Sequence, residues 1–576
     1  MKSANKFVVY LFIISVFLSF IPREININAA TREPVRGLHA IVASQSKLAS
    51  EIGVEVLKRG GNAVDAAVAV ALALAVAYPE AGNLGGGGFM LIRFRDGRTT
   101  AIDYREMAPM AATRDVYLNK KGELIKGEGS STIGYRASGV PGTPAGLDLA
   151  FKKYGSKKIN WADLVEPSRR LAENGFVLSN RLANLFKTYK ENLTKYEDSK
   201  RIFLNGGKYF EEGDTLRQPD LAQTLARMQK NGAREFYEGE TARLIANDMR
   251  AHNGLITLED LKNYQPKERV PLRGTYRGYP IISMPPPSSG GIVLLQTLNM
   301  LEKYDLRKIG FASSEKYHVL TESLRRSFAD RAEWMGDPDF TSVPASTLID
   351  KKYAAARGAT IDLTRASKSS DIKAGKISGV EPTETTHFTV VDADGNVVTN
   401  TYTINDLYGS RVTARGTGVL LNDEMDDFAA RPGKPNMFGL IQGEKNAIQP
   451  KKRPLSSMTP TIVLRRDGSL WFALGARGGP RIITAVLETV INVIDHDMDI
   501  QQAIDTPRIH HQWFPDELIY EPYGMSSDTI KALEILGHKF GERPSYIASA
   551  TGIMIDEKGV RLGAIDSRSD GEAVGY

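Results

Sequence analysis

The stretch from Ala63 to Tyr78 constrains this chain more than any other part of it. It holds alanine, valine and leucine on nearly every side of a helical wheel, leaving no face for water, so the helix must be buried. Pro79 stops it after about 16 residues, short of the roughly 20 needed to span a bilayer. Asn62 stands where a cap belongs, and Asp65 can reach back three residues later. Before it, Leu48, Ile52 and Val56 recur at four-residue steps over 47–58, a second helix ended by Gly60-Gly61. Behind the buried helix come Gly82-Asn83-Leu84, four glycines from Gly85 to Gly88, and a strand-like Phe89–Phe94. A phosphate loop would need a Lys-Ser/Thr pair where Phe89-Met90 stand, and the order strand–glycine–helix rather than its reverse. The glycines instead predict a tight backbone crossing.

With 576 residues, 42 % of them hydrophobic, the chain can build one large α/β domain or two medium ones. Lys2 and Lys6, the apolar run Phe7–Ile21 and the small residues Ala29-Ala30 read in order as a secretory leader, cleaved near residue 29. The formal charge of +6 falls to +4 without that leader, too mild and too dispersed for nucleic acid. The one short basic cluster, Lys451-Lys452-Arg453, reads as a solvated loop. There is no cysteine, so an exported chain is held by its core alone, and any nucleophile must be an oxygen.

The middle, 145–380, alternates helical stretches with polar loops. Met284–Gly291 is a rigid turn whose serines could cap a helix beginning near Ile292. Residues 366–384 are polar and poor in large apolar groups, and read as an exposed, flexible loop. From Thr385 the pattern becomes strand-rich: His387–Val391, a turn at Asp392–Asn396, then Val397–Thr403. Centring the turn on Asp394 makes Thr385 face Thr403, hydroxyl to hydroxyl. Asn422–Phe428 carries four carboxylates. Glu424 and Asp427 share a face if this segment is a helical turn, and the flanking Leu421, Met425 and Phe428 draw it inward, where carboxylates need cations. A calcium loop would need a central glycine that is missing. Gly478-Gly479 precede a helically spaced apolar run from Ile482 and would present bare N–H groups to an oxyanion. His510 and His511 read as structural, with no third ligand for a zinc motif.

Taken together, Gly60–Ala67, Gly82–Gly87, Asp103–Pro109, Pro286–Gly291, Thr385–His387, Thr403–Asn405, Asn422–Phe428, Pro454–Met458 and Pro507–Gln512 resemble, in this order, the γ-glutamyltranspeptidase family. The resemblance spans almost the whole mature chain and implies an N-terminal-nucleophile hydrolase: an α/β, four-layer αββα sandwich formed by two chains from one precursor, with no cofactor and no metal. It implies self-cleavage between Glu384 and Thr385 into a large subunit, 30–384, and a small catalytic one, 385–576, associated as a heterodimer. Thr385 becomes the nucleophile, oriented by Thr403, with Gly478 and Gly479 holding the oxyanion. Arg105, Ser456 and Ser457 take the glutamyl α-carboxylate; Asn405, Glu424 and Asp427 take its α-ammonium. The substrates implied are glutathione and other γ-glutamyl compounds, with water, amino acids or dipeptides as acceptors. Residues 432–453 resemble a lid loop, with Phe438 at its aromatic position. Rival readings are a glutaryl or cephalosporin acylase of the same fold, a relative acting on poly-γ-glutamate, and an exported solute-binding protein. The ammonium-binding pair disfavours the acylase, and the apparent lid the bulkier polymer. A periplasmic or secreted location and no stable membrane span follow from the leader.

Overall fold

The first two helices are α1 (Lys47–Lys58) and α2 (Ala63–Ala77), and every residue of α2 is buried. Its start is the expected reciprocal cap. Asn62 Oδ1 accepts from the N–H groups of Val64 (2.9 Å) and Asp65 (3.0 Å), while Asp65 Oδ2 accepts from Asn62 N (3.0 Å). This computed structural model describes residues 31–375 and 386–576, of which those from Pro34 on belong to one unit. The expected leader (1–29), the Glu384–Thr385 bond and the facing of Thr385 by Thr403 therefore lie outside the described residues.

The strands of the two large sheets are, in chain order, β1 (Val35–Gly37), β2 (Ile41–Ser44), β3 (Gly87–Arg93), β4 (Thr99–Asp103), β5 (Lys267–Arg269), β6 (Leu272–Tyr276), β7 (Tyr279–Ser283), β8 (Thr386–Val391), β9 (Val397–Thr403), β10 (Thr461–Leu464), β11 (Leu470–Arg477), β12 (Ser549–Ile555), β13 (Arg561–Ile565) and β14 (Glu572–Gly575). They form two seven-stranded sheets, ordered β1-β13-β12-β11-β10-β7-β6 and β14-β2-β8-β9-β3-β4-β5. Residues 145–380 thus supply β5 to β7 as well as helices, a contribution the polar spacing of that region conceals.

Alternation along each strand sorts side chains into layers. Met90 and Ile92 of β3 join the core under α2, while Phe89 and Leu91 join the core between the sheets. On the other sheet, Phe472 and Leu474 of β11 pack with helices α3 (Gly290–Leu301), α4 (Ser314–Trp334) and α5 (Arg481–His496), and Ala473 faces inward. The layers run helix, sheet, sheet, helix, the αββα sandwich that the resemblance implied.

The hairpin has the expected register: Val391 pairs with Val397 and Thr386 with Tyr402. The glycine run is the expected crossing. A Cβ on Gly86 would lie 1.8 Å from the Thr403 carbonyl oxygen, and one on Gly88 2.3 Å from the Tyr402 Cβ. Only glycine lets the chain pass that close to the end of β9.

Three local expectations need correction. Lys452 and Arg453 are buried rather than solvated. Lys452 Nζ donates to the carbonyls of Lys445 (2.7 Å) and Ala447 (2.9 Å), and Arg453 donates to that of Gln265 (2.7 Å) and lies 3.5 Å from Asp103, so backbone oxygens and one carboxylate stabilise these cations. The described part of the polar stretch, 366–375, is anchored instead of free: Ser369 is buried, its N–H donates to Asp516 (2.8 Å), and Trp513 Nε1 donates to its carbonyl (2.8 Å). Finally, α3 begins at Gly290, where Ser288 Oγ accepts the Gly290 N–H (3.2 Å) and the Ser289 hydroxyl turns to the Ser456 carbonyl (2.8 Å).

Candidate active site

At one end of the sandwich β9 stops at Thr403, whose Oγ accepts from Asn405 N (2.7 Å) and whose carbonyl accepts from Asn83 Nδ2 (2.8 Å). That local closure holds Asn405 at a φ of +73°, a left-handed conformation that asparagine tolerates. Asn405 Nδ2 donates to the Asp423 carbonyl (3.0 Å), which leaves the buried Oδ1 with no hydrogen-bond donor among the described residues.

Asp423 leads into a short 3₁₀ turn, Glu424–Asp427, which puts both candidate carboxylates on one buried side. They converge on Arg105, just past the end of β4. Arg105 Nη1 is 2.5 Å from Glu424 and 3.6 Å from Glu106, and Nη2 pairs with Asp427. All four side chains are 0 % exposed. Fully ionised, one guanidinium and three carboxylates carry a net charge of −2. Oε2 of Glu424 and Oδ1 of Asp427 accept no hydrogen bond from the described residues. Burial accordingly pushes the carboxyls of Glu424 and Asp427 well above their ordinary range, and that of Glu106 up to about 7. Arg105 thus sits between the two acids.

The serines join this cluster through the backbone. Arg105 Nε donates to the Pro454 carbonyl (3.2 Å), and Asn446 bridges the Asp427 carbonyl (2.6 Å) and Leu455 N (3.3 Å). Ser456 Oγ accepts from Met458 N (3.1 Å), and Ser457 Oγ accepts from Arg331 Nη2 (2.5 Å). Arg331, buried on α4, also donates to Ser289 Oγ (3.2 Å). Sequence reasoning missed it because an arginine within a helix rich in charged residues looks solvated. Glu106 lay inside a matched motif without a role.

Gly478 and Gly479 follow β11 and lead into α5, with φ values of +131° and +66°. A Cβ on Gly478 would fall 2.6 Å from the Ala548 Cα, so the crossing excludes any side chain. Gly478 and Asn405 share a cleft of about 1160 Å³ with Phe438 and Met437. The loop bearing Phe438 is tied to the acidic turn by Met437 N donating to Asp426 (3.2 Å), and to Gln512 Nε2 through the Phe438 carbonyl (3.0 Å). Arg105, Glu424, Asp427, Ser456 and Ser457 do not line the cleft; they lie buried beside it. His510 packs away with Thr484 (2.8 Å) and Gln512 (2.9 Å), and His511 Nε2 lies 3.4 Å from Asp516.

Behind the cleft, His387 sits between the sheets against Gly475, bonded to the hydroxyls of Thr401 (2.8 Å), Thr389 (3.0 Å) and Thr399 (3.1 Å). Burial lowers its pKa to about 3, so it is neutral and unsuited to accepting a proton near pH 7.

The family model described as Gamma-glutamyltranspeptidase matches residues 49–576. A glutathione hydrolase proenzyme of Escherichia coli (strain K12) is 49 % identical over 557 residues, 96 % of this chain and 95 % of that one. Among solved structures, a cephalosporin acylase from Bacillus halodurans has a TM-score of 0.84 at 25 % identity, covering 96 % of this chain and 99 % of its own. Helicobacter pylori gamma-glutamyltranspeptidase has a TM-score of 0.56 at 45 % identity over 60 % of this chain and 97 % of its own. Among the described residues no helix is long and apolar enough to cross a membrane.

Proposed function

The chain belongs to the γ-glutamyltranspeptidase family, and from that premise we propose that it is an exported, self-cleaving γ-glutamyltransferase and glutathione hydrolase. The leader over 1–29 is removed on export. Breaking the Glu384–Thr385 bond yields subunits 30–384 and 385–576, which stay together as one catalytic unit. Thr385 Oγ attacks the γ-carbonyl of a γ-glutamyl amide. Its freed α-amine, with an ordinary pKa near 7.7, takes the hydroxyl proton and passes it to the departing amine as the C–N bond breaks. Thr403 orients the hydroxyl, and the N–H groups of Gly478 and Gly479 stabilise the oxyanion. The resulting ester is released by water, giving glutamate, or by the amine of an amino acid or dipeptide, giving a new γ-glutamyl compound. The loop 432–453, with Phe438, covers the bound glutamyl group.

One observation carries the substrate choice. Three buried carboxylates surround a single guanidinium, and several of their oxygens lack donors. A zwitterionic amino-acid head group suits both signs. Its α-ammonium meets Glu424, Asp427 and the free Oδ1 of Asn405, while its α-carboxylate draws on Arg105, Ser456 and Ser457. A glutaryl group would bring no ammonium to hold these raised carboxyls in their ionised form.

Purified protein incubated with glutathione should release glutamate and cysteinylglycine, and added glycylglycine should yield γ-glutamyl-glycylglycine. On a denaturing gel the protein should run as two chains, the smaller beginning Thr-Thr-His-Phe, whereas Thr385→Ala should remain single and inactive. Any other N-terminal sequence on the small chain refutes the nucleophile assignment.

A further inference from the structure

Arg477 is the last residue of β11 and directly precedes Gly478. It lies on the same strand face as Gly475, which packs on His387 between the sheets, so its side chain emerges at the end of the sandwich where β8 begins and β9 ends. It lines the cleft together with Asn405 and Gly478. Its surroundings differ from those of the other cations there. Arg568 pairs with Glu521 and Asp566, and Arg481 donates to the Tyr546 carbonyl (3.0 Å). Arg477 has no ion pair among the described residues, and its buried Nε has no hydrogen-bond acceptor. Among the described residues it rests on the ring of Tyr78, 5.7 Å from the centroid. Burial raises the Tyr78 hydroxyl to about 12, so the ring is a neutral platform and not a counter-ion.

A half-buried guanidinium with an unsatisfied donor calls for an anion from a ligand. We propose that Arg477 binds the terminal carboxylate of the dipeptide that leaves from, or attacks, the glutamyl–enzyme. This rests on the activity proposed above and names the part of the substrate that the glutamyl pocket does not reach. The spacing suits it. An extended dipeptide holds its carboxylate roughly 7 Å from the reacting nitrogen, within reach of a long side chain anchored next to the oxyanion glycine. A planar fork binds such a carboxylate bidentately.

The test compares acceptors that differ only in that charge: glycylglycine and glycylglycinamide, with γ-glutamyl-p-nitroanilide as donor. In the wild type the KM of the amide should exceed that of the free acid at least tenfold, the equivalent of one charge-assisted hydrogen bond. Arg477→Gln should close that gap, and Arg477→Lys should keep part of it. In the same variants the ratio of kcat/KM for glutathione to that for the anilide should fall about tenfold with Gln. Equal KM values for the two acceptors in the wild type overturn the assignment without need of any variant, as does a gap that survives Arg477→Gln. If the wild type turns over neither donor, the proposed activity itself falls, and Arg477 with it; turnover without acceptor discrimination refutes Arg477 alone.

Discussion

Asp427→Asn tests the step on which the substrate reading depends. Asp427 is fully buried, pairs with Arg105 through Oδ2, and leaves Oδ1 with no donor among the described residues. In the amide variant the cluster of Arg105, Glu106, Glu424 and residue 427 drops from −2 to −1 when ionised. An α-ammonium then loses one charge-assisted partner, worth about 1.5–3 kcal/mol in a closed pocket, or roughly 10- to 150-fold in kcat/KM. The variant also loosens Arg105, but that loss falls equally on any substrate bearing a terminal carboxylate. Comparing γ-glutamyl- and glutaryl-p-nitroanilide on both proteins cancels it. Only the first has the ammonium, and the second gains from reduced repulsion. The ratio of the two kcat/KM values should shift at least tenfold toward glutaryl. If both substrates decline in parallel, Asp427 serves folding or maturation and the ammonium site is wrong.

Arg105→Lys should raise KM for γ-glutamyl substrates about 30- to 150-fold, since a point charge cannot hold both Glu424 and Asp427 and still fork onto a carboxylate; an unchanged KM removes Arg105 from binding. His387, held neutral by burial with a pKa near 3, should make the fold acid-sensitive. Its folded pKa lies below the unfolded value of about 6.5, so the unfolded chain binds the extra proton between those limits and stability is lost as pH falls through them. In a Thr385→Ala background, the stability gap between His387 and His387→Gln proteins should narrow from pH 6.5 toward 4, by up to about 1.4 kcal/mol per pH unit in urea titrations. A gap constant across that range contradicts a neutral, buried His387.

What could be read from the chain alone is what short-range physics decides. The reciprocal Asn62–Asp65 cap depends on residues three apart, and the β8–β9 register depends on a turn and a two-residue period. The crossing at Gly85–Gly88 was announced by four missing side chains, though its partner strand was not. Tertiary structure decided the rest. Arg105 meets Asp427 across 322 positions of sequence, and no local pattern distinguishes a guanidinium that ends beneath a cleft from one that ends in water. The same applies to Lys452 and Arg453, which follow a third basic residue in sequence but whose partners, backbone carbonyls for both and Asp103 for Arg453, are brought in by the fold. Arg331 and Ser369 were missed for that reason, and that Arg477 has no ion pair among the described residues can be recognised only in the folded chain. Burial of a charge is a property of closure, because its cost is set by what the whole chain packs around it.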